Sequence, residues 1–110
     1  DVQARLQADE TIHLPLPIET ALYHIAQEAL NNSLKHAQAS TVTVYLNRTP
    51  QGILLEVSDD GRGFDLDHIH SGGMGLSNMR ARAEAIGAAL EIDSRPDEGT
   101  RVRVLVEEQS

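Results

Sequence analysis

The run from His24 to His36 constrains this chain more than any other stretch. Its apolar and polar residues recur with helical spacing, and positions i, i+4 and i+7 of a helix share one stripe. Glu28, Asn32 and Lys35 therefore point the same way, with His24 one turn earlier, while Ala26, Ala29, Leu30, Ser33 and Ala37 lie toward the other side. Lys35 is the sole lysine of the chain. A surface helix can be polar on one face for no further reason. The stripe gains meaning only from what the rest of the chain places beside it.

At 110 residues the chain is expected to form a single domain with one core. It contains no cysteine, so a disulfide framework and a thiolate metal site are excluded, and an intracellular setting is the default expectation. The N-terminus has no signal-peptide pattern and no apolar run has the length of a membrane span, so a cytoplasmic domain without direct membrane contact is expected. A net charge of −8 argues against a general nucleic-acid surface, which requires a basic face. Aromatic residues are sparse, so Val, Leu, Ile and Ala must build the core. The chain opens abruptly in a strand-like run, as a piece of a longer protein would.

Alternation from Val2 to Leu6 predicts a short edge strand. Asp9 to Pro17 reads as a linker, with its second proline just before a helix, where a missing N–H is tolerated. Glu19 to Ala37 is the helix. Thr41 to Arg48 is a strand with Val42, Val44 and Leu46 inward, and a turn at Thr49 to Gly52 leads to a second strand over Ile53 to Ser58. Asp59-Asp60-Gly61-Arg62-Gly63 then forms a glycine loop, and Phe64 to Ser71 is polar. A second loop, Gly72-Gly73-Met74-Gly75, opens into a helix from about Leu76 to Ile86, with Gly87 as its C-cap. Leu90 to Asp93 and Thr100 to Val106 are strands joined by a turn at Arg95 to Gly99. The order β-α-ββ-α-ββ predicts an α+β fold of two layers, helices covering one face of a mostly antiparallel sheet.

A strand that ends in an aspartate followed by Gly-x-Gly makes a tight turn and brings backbone close to a flat ligand. A carboxylate there can accept a hydrogen bond from an exocyclic amine, which adenine has and guanine lacks at that position. The register gives this role to Asp59, with Asp60 as its exposed neighbour. Taken alone, the same residues fit a hairpin turn capped by two aspartates equally well. The second loop precedes a helix, whose free N–H groups suit phosphate oxygens, yet a lone Gly-x-Gly also fits a plain linker. Other motifs fail. No P-loop is present, both glycine pairs lack the third glycine of the dinucleotide fingerprint, and the acids from Asp59 to Asp67 do not follow the calcium-loop pattern. His68 and His70 read as exposed loop residues, His13 as a linker residue and His24 as a surface or interdomain one. Arg62 reads as exposed, Arg80 and Arg82 as partners of their helix's own acids, and Met79 and Phe64 as packing residues.

The conjunction is more specific than its parts. Glu28-x3-Asn32-x2-Lys35-His36, Asp59-x-Gly61-x-Gly63, Gly73-x-Gly75 and Gly99-Thr100, in this order, resemble the GHKL ATPase superfamily of gyrase, heat-shock chaperone, mismatch-repair and sensor histidine kinase domains. Gln27 to Asn32 with Lys35 to Ala37, and Gly75 to Ala83, look like the nitrate-sensor type of two-component histidine kinase. The resemblance runs from about Leu16 onward and implies the Bergerat-type two-layer α/β sandwich with ATP and Mg²⁺. It implies that the Asn32 amide oxygen binds magnesium, that Glu28 reaches the metal through water and that Lys35 counters phosphate charge. His36 would line the phosphate or sugar side. Asp59 would read adenine, Gly61 and Gly63 would give the base room, and Thr100 would lie near it. Gly73, Met74, Gly75 and Leu76 would bring backbone to phosphate, and Phe64 to Gly72 would be a short lid.

A histidine kinase also needs an acceptor histidine on a dimerising hairpin, followed in this subfamily by an acid. None of the five histidines here is followed by Asp or Glu. The expectation is a catalytic and ATP-binding domain alone, monomeric when isolated, that phosphorylates a histidine on the dimerisation domain of its own kinase. A response regulator would act downstream, and the full-length kinase could be membrane-anchored. Two alternatives stand beside it: an anti-sigma-type serine kinase of the same superfamily, and a nucleotide-binding regulatory domain without catalysis.

Overall fold

A computed structural model describes residues 3–9, 11–36, 41–61, 73–94 and 99–107, with side chains for all of these except 4, 32–36 and 73–77. The elements follow in the order β1 (Gln3–Ala8), α1 (Leu16–His36), β2 (Thr41–Thr49), β3 (Gly52–Asp59), α2 (Gly73–Ala85), β4 (Ala89–Ser94) and β5 (Thr100–Val106). The strands form one sheet in the order β1-β2-β3-β5-β4. β1 runs parallel to β2, and every other pairing is antiparallel. This is the expected α+β architecture, with a mixed, mostly antiparallel sheet. Among the described residues no helix is long and apolar enough to cross a membrane.

Period-2 alternation decides which face of the sheet is covered. On the inner face Ile53 lies opposite Val106, Leu55 opposite Val104, and Val57 opposite Val102. Leu90 and Ile92 of β4 continue the second and third of these rows. Val42, Ile53, Leu55, Val57, Val102, Val104 and Val106 are buried. The outer face sets Leu54 opposite Leu105 at one end and is polar beyond them. There the Arg103 Nε donates to Glu56 at 2.9 Å and Arg101 approaches the other carboxylate oxygen at 3.7 Å. Such half-exposed pairs contribute about 0–1 kcal/mol.

α1 lies across β3 and touches β2 and β5, while α2 rests on β4 and packs against α1. Ala21, Leu22, Ile25 and Ala29 give α1 its buried stripe. The helix begins at Leu16, three residues before the expected start at Glu19, and the Pro15 carbonyl accepts from the N–H groups of Ile18 and Glu19 at 3.0 Å each. Pro17 then sits in the first turn, where no intrahelical N–H bond is lost. On α2, Met79 and Ala83 are buried at spacing i, i+4, and Ile86 continues the stripe just past the helix end. Met79, fully buried, is the packing residue its spacing implies. Met79→Ala is expected to destabilise the fold by about 2–5 kcal/mol. Denaturant unfolding checks this, and a wild-type midpoint would remove Met79 from the core.

Gly87, with φ of 68°, ends α2 as expected. The Ala88 N–H donates to the Ala83 carbonyl at 2.9 Å and the Gly87 N–H to the Glu84 carbonyl at 3.1 Å, the double bond pattern of a Schellman cap. The start of α2 departs from expectation. Gly73, Met74, Gly75 and Leu76 form its first turn rather than a loop before it. Glycine disfavours a helix through backbone entropy, about 1 kcal/mol per residue, which makes the run read as a loop in sequence. β1 also differs, extending to Ala8. Leu6, paired with Val44 on the helix side, is 74% exposed because α1 is centred on β3 and does not reach the β1 edge. Val2, Arg62, Gly63, the lid at Phe64 to Gly72, Ala37 to Ser40 and the turn at Arg95 to Glu98 lie outside the described residues.

Candidate nucleotide site

The inner face changes character in its last row. After the rows of Ile, Leu and Val, the strand pairings set Asp59 of β3 opposite Thr100 of β5, and Thr100 opposite Ser94 of β4. Val42 of β2 flanks Asp59 on its other side. Residues far apart in sequence thus form one polar edge to the helix-covered layer. Asp59 and Thr100 are half-buried, and Ser94 is 6% exposed.

The two aspartates at the end of β3 have different tasks. Asp60 is exposed; its Oδ1 accepts from the Thr41 N–H at 2.9 Å, and its own N–H donates to the Thr41 carbonyl at 3.3 Å. It ties the start of β2 to the end of β3. Asp59 lies on the inner face, and its Oδ1 accepts from the Gly61 N–H at 2.9 Å, which orients the carboxylate. Gly61 is buried immediately behind it. Gly99 approaches from β5; a Cβ there would run into the backbone carbonyl oxygen of Asp59. Thr100 is held by Ser94, whose Oγ lies 2.8 Å from the Thr100 Oγ1 and 3.4 Å from the Gly99 carbonyl oxygen. Ser94 is the member of this edge that sequence reasoning missed. The signal was present: alternation through Leu90 and Ile92 puts position 94 inside, where a third apolar residue would be the rule.

The other expected residues are placed less completely. α1 is helical through positions 28, 32 and 35, so its backbone carries them on one stripe. Glu28 is half-buried, while the side chains of Asn32, Lys35 and His36 lie outside the described residues. His24 is half-buried, its ring edge-on to Tyr23 with centroids 5.7 Å apart. Gly73, Met74, Gly75 and Leu76 are placed as backbone in the first turn of α2, and Gly63 is outside the description. Among the described residues no group of three or more His, Asp or Glu could hold a metal. The donor set of Glu28 and Asn32 suits a hard cation that takes its remaining ligands from water and phosphate.

A separate cavity of about 500 Å³ is walled by Leu14, Pro15, Ile18, Ile53, Ile86 and Val106, with His13 and Glu107 beside them. It lies at the opposite end of β3, about 20 Å from Asp59 at the rise of an extended strand. None of the expected site residues lines it.

Residues 18–110 match the family described as histidine kinase-, DNA gyrase B- and HSP90-like ATPases, and the chain belongs to that family. It is similar to the sensor protein VraS of Staphylococcus saprophyticus, 42% identical over 95 residues, covering 86% of this chain and 27% of that protein. The VraS protein of Staphylococcus aureus is 44% identical over 91 residues, 83% of this chain and 26% of its own length. The chain thus spans about a quarter of these relatives. Among solved structures, the histidine kinase domain of the blue-light activated kinase EL346 from Erythrobacter litoralis superposes with a TM-score of 0.83 at 25% identity, covering 96% of this chain and 51% of that one. The ATP-binding domain of PrrB from Mycobacterium tuberculosis, 20% identical, shares the fold with a TM-score of 0.71 over 99% of this chain and 82% of its own.

Proposed function

We propose that this domain binds Mg-ATP against the polar edge and donates the γ-phosphoryl group to a histidine on a separate dimerisation domain of a sensor kinase. The observation that carries the reading is the row of Asp59, Thr100 and Ser94, backed by Gly61 and Gly99, where the apolar face would otherwise continue. The Asp59 carboxylate accepts from the exocyclic amine of adenine, and the carbonyl that guanine carries there would be repelled. Gly61 and Gly63 leave room for the base, and Thr100 presents a hydroxyl beside it. The first-turn N–H groups of α2, from Gly73 to Leu76, face phosphate oxygens. Lys35 adds a positive charge at the phosphates, and His36 lines the phosphate or sugar side. Glu28 and Asn32 would hold Mg²⁺, Asn32 by its amide oxygen and Glu28 through water; the ion supplies neutralisation of the triphosphate charge.

In the transfer itself the bond from the γ-phosphorus to the bridging oxygen of ADP breaks as a bond to the acceptor histidine nitrogen forms, and ADP leaves. The chain's contribution is positioning and charge, and the nucleophile comes from elsewhere. The acceptor domain and a response regulator are the implied partners, and a cytoplasmic location follows from the need for ATP. The similarity to sensor proteins favours this reading over a serine kinase or a regulatory domain without catalysis. The test is to incubate the chain with γ-labelled ATP and Mg²⁺, alone and with the hairpin domain of the same kinase. The chain alone should remain unlabelled and the added hairpin should acquire phosphate. Strong labelling of the chain alone would overturn the missing acceptor, and an unlabelled hairpin would overturn the transfer.

A further inference from the structure

Resting on the nucleotide-site reading above, we infer that Ser94 is a positioning residue for the adenine end: it fixes the hydroxyl of Thr100 beside Asp59. Among the described residues Ser94 is the buried polar side chain of the core's border, 6% exposed. Its position in the alternation of β4 is one that Leu90 and Ile92 fill with apolar side chains. A hydroxyl in such a place is costly unless it is hydrogen-bonded. Here it is, to the Thr100 Oγ1 at 2.8 Å, with the Gly99 carbonyl oxygen at 3.4 Å.

The effect on Thr100 is specific. The methyl and hydroxyl of a threonine differ little in size, so packing alone does not decide which of them takes a given place. A partner that bonds only the hydroxyl does decide, by selecting one χ1 well and limiting the rotation of the O–H. A hydroxyl has one proton and two lone pairs, so Thr100 keeps capacity for a further bond after bonding Ser94. Thr100 is paired directly with Asp59 across the β3–β5 ladder, so the hydroxyl set by Ser94 sits next to the carboxylate that reads the base. The edge then meets the base through two groups held in fixed relation, Asp59 by Gly61 and Thr100 by Ser94.

A double-mutant cycle on nucleotide affinity tests this, using calorimetry of the 110-residue chain with a non-hydrolysable ATP analogue and Mg²⁺. Ser94→Ala is expected to weaken binding roughly three- to tenfold, the effect of losing one net hydrogen bond. Thr100→Val should weaken it at least as much, and the double variant should bind no worse than Thr100→Val within about twofold, since Ser94 acts through the missing hydroxyl. Ser94→Cys, which leaves no empty space but offers only a weak donor, should show the loss of Ser94→Ala and keeps the test valid if the smaller side chain unsettles the hairpin. A purely structural Ser94 would instead give losses that multiply. Multiplying losses, or wild-type affinity in Ser94→Ala or Ser94→Cys, would overturn the inference. Asp59→Asn separates the two levels. Wild-type affinity there overturns the nucleotide-site reading as a whole, while lost affinity there with multiplying Ser94 and Thr100 effects overturns only the role of Ser94.

Discussion

Asp59→Asn is expected to weaken binding of an ATP analogue by roughly 30- to 1000-fold, about 2–4 kcal/mol, with little change in thermal stability. The size follows from geometry. One carboxylate oxygen of Asp59 is engaged by the Gly61 N–H at 2.9 Å. An asparagine that keeps its oxygen on Gly61 turns its NH2 toward the amine of the base, donor against donor. An asparagine that flips serves the base but turns its NH2 on the Gly61 N–H, which loses its acceptor. Both orientations lose a charge-assisted bond, and these are about twice as strong as neutral ones. Asp60 cannot substitute, because its Oδ1 is bonded to the Thr41 N–H and its side chain is exposed. In the same calorimetric series Asn32→Ala should leave the base contact intact and weaken the dependence on Mg²⁺. Unchanged binding in both variants would sink the site.

The architecture was legible because its signals are periodic. Val42, Val44 and Leu46 alternate inward in β2, and Met79 and Ala83 repeat at helical spacing in α2; both patterns are what the core uses. Boundaries were less legible where two rules compete. Glycine's weak helix propensity moved the expected start of α2 to Leu76, but a cost of about 1 kcal/mol per glycine does not keep Gly73 and Gly75 out of the first turn. Leu6 followed its alternation onto the helix-facing side and still lies open, because alternation assigns a face and not whether a helix reaches far enough to cover it. The candidate site was legible in a different way. Nothing local connects Asp59 with Thr100; family resemblance named both, and strand register is what sets them side by side. Ser94 escaped because its strand was expected to end at Asp93, and a serine in a hairpin looks like turn chemistry. Alternation carried one residue further puts it on the inner face, and the pairing of β4 with β5 sets it against Thr100.

The same register makes Gly99 a joint between fold and site, and Gly99→Ala is expected to lose both stability and nucleotide affinity. Two costs add at this position. Gly99 has φ of 82°, a conformation costing an L-residue about 1–2 kcal/mol. The new methyl would also strike the backbone carbonyl oxygen of Asp59, with the carbonyl carbon 3.3 Å away, so backbone rather than a flexible side chain must give way. The total loss should be about 3 kcal/mol or more. The segment that yields is the end of β3, so Asp59 moves away from Thr100 and the base loses its paired contacts. Gly87 provides the control. Its φ of 68° carries similar strain, but a Cβ there meets nothing within 4 Å. Gly87→Ala should therefore cost about 1 kcal/mol of stability, loosening the cap of α2 at the opposite end of the sheet, and leave nucleotide affinity at the wild-type value. Thermal melting and calorimetry on the two variants separate the cases. If Gly99→Ala bound the ATP analogue as tightly as Gly87→Ala, the close approach of β5 to Asp59 would be a feature of the hairpin alone, and the polar edge would not need it to hold the base.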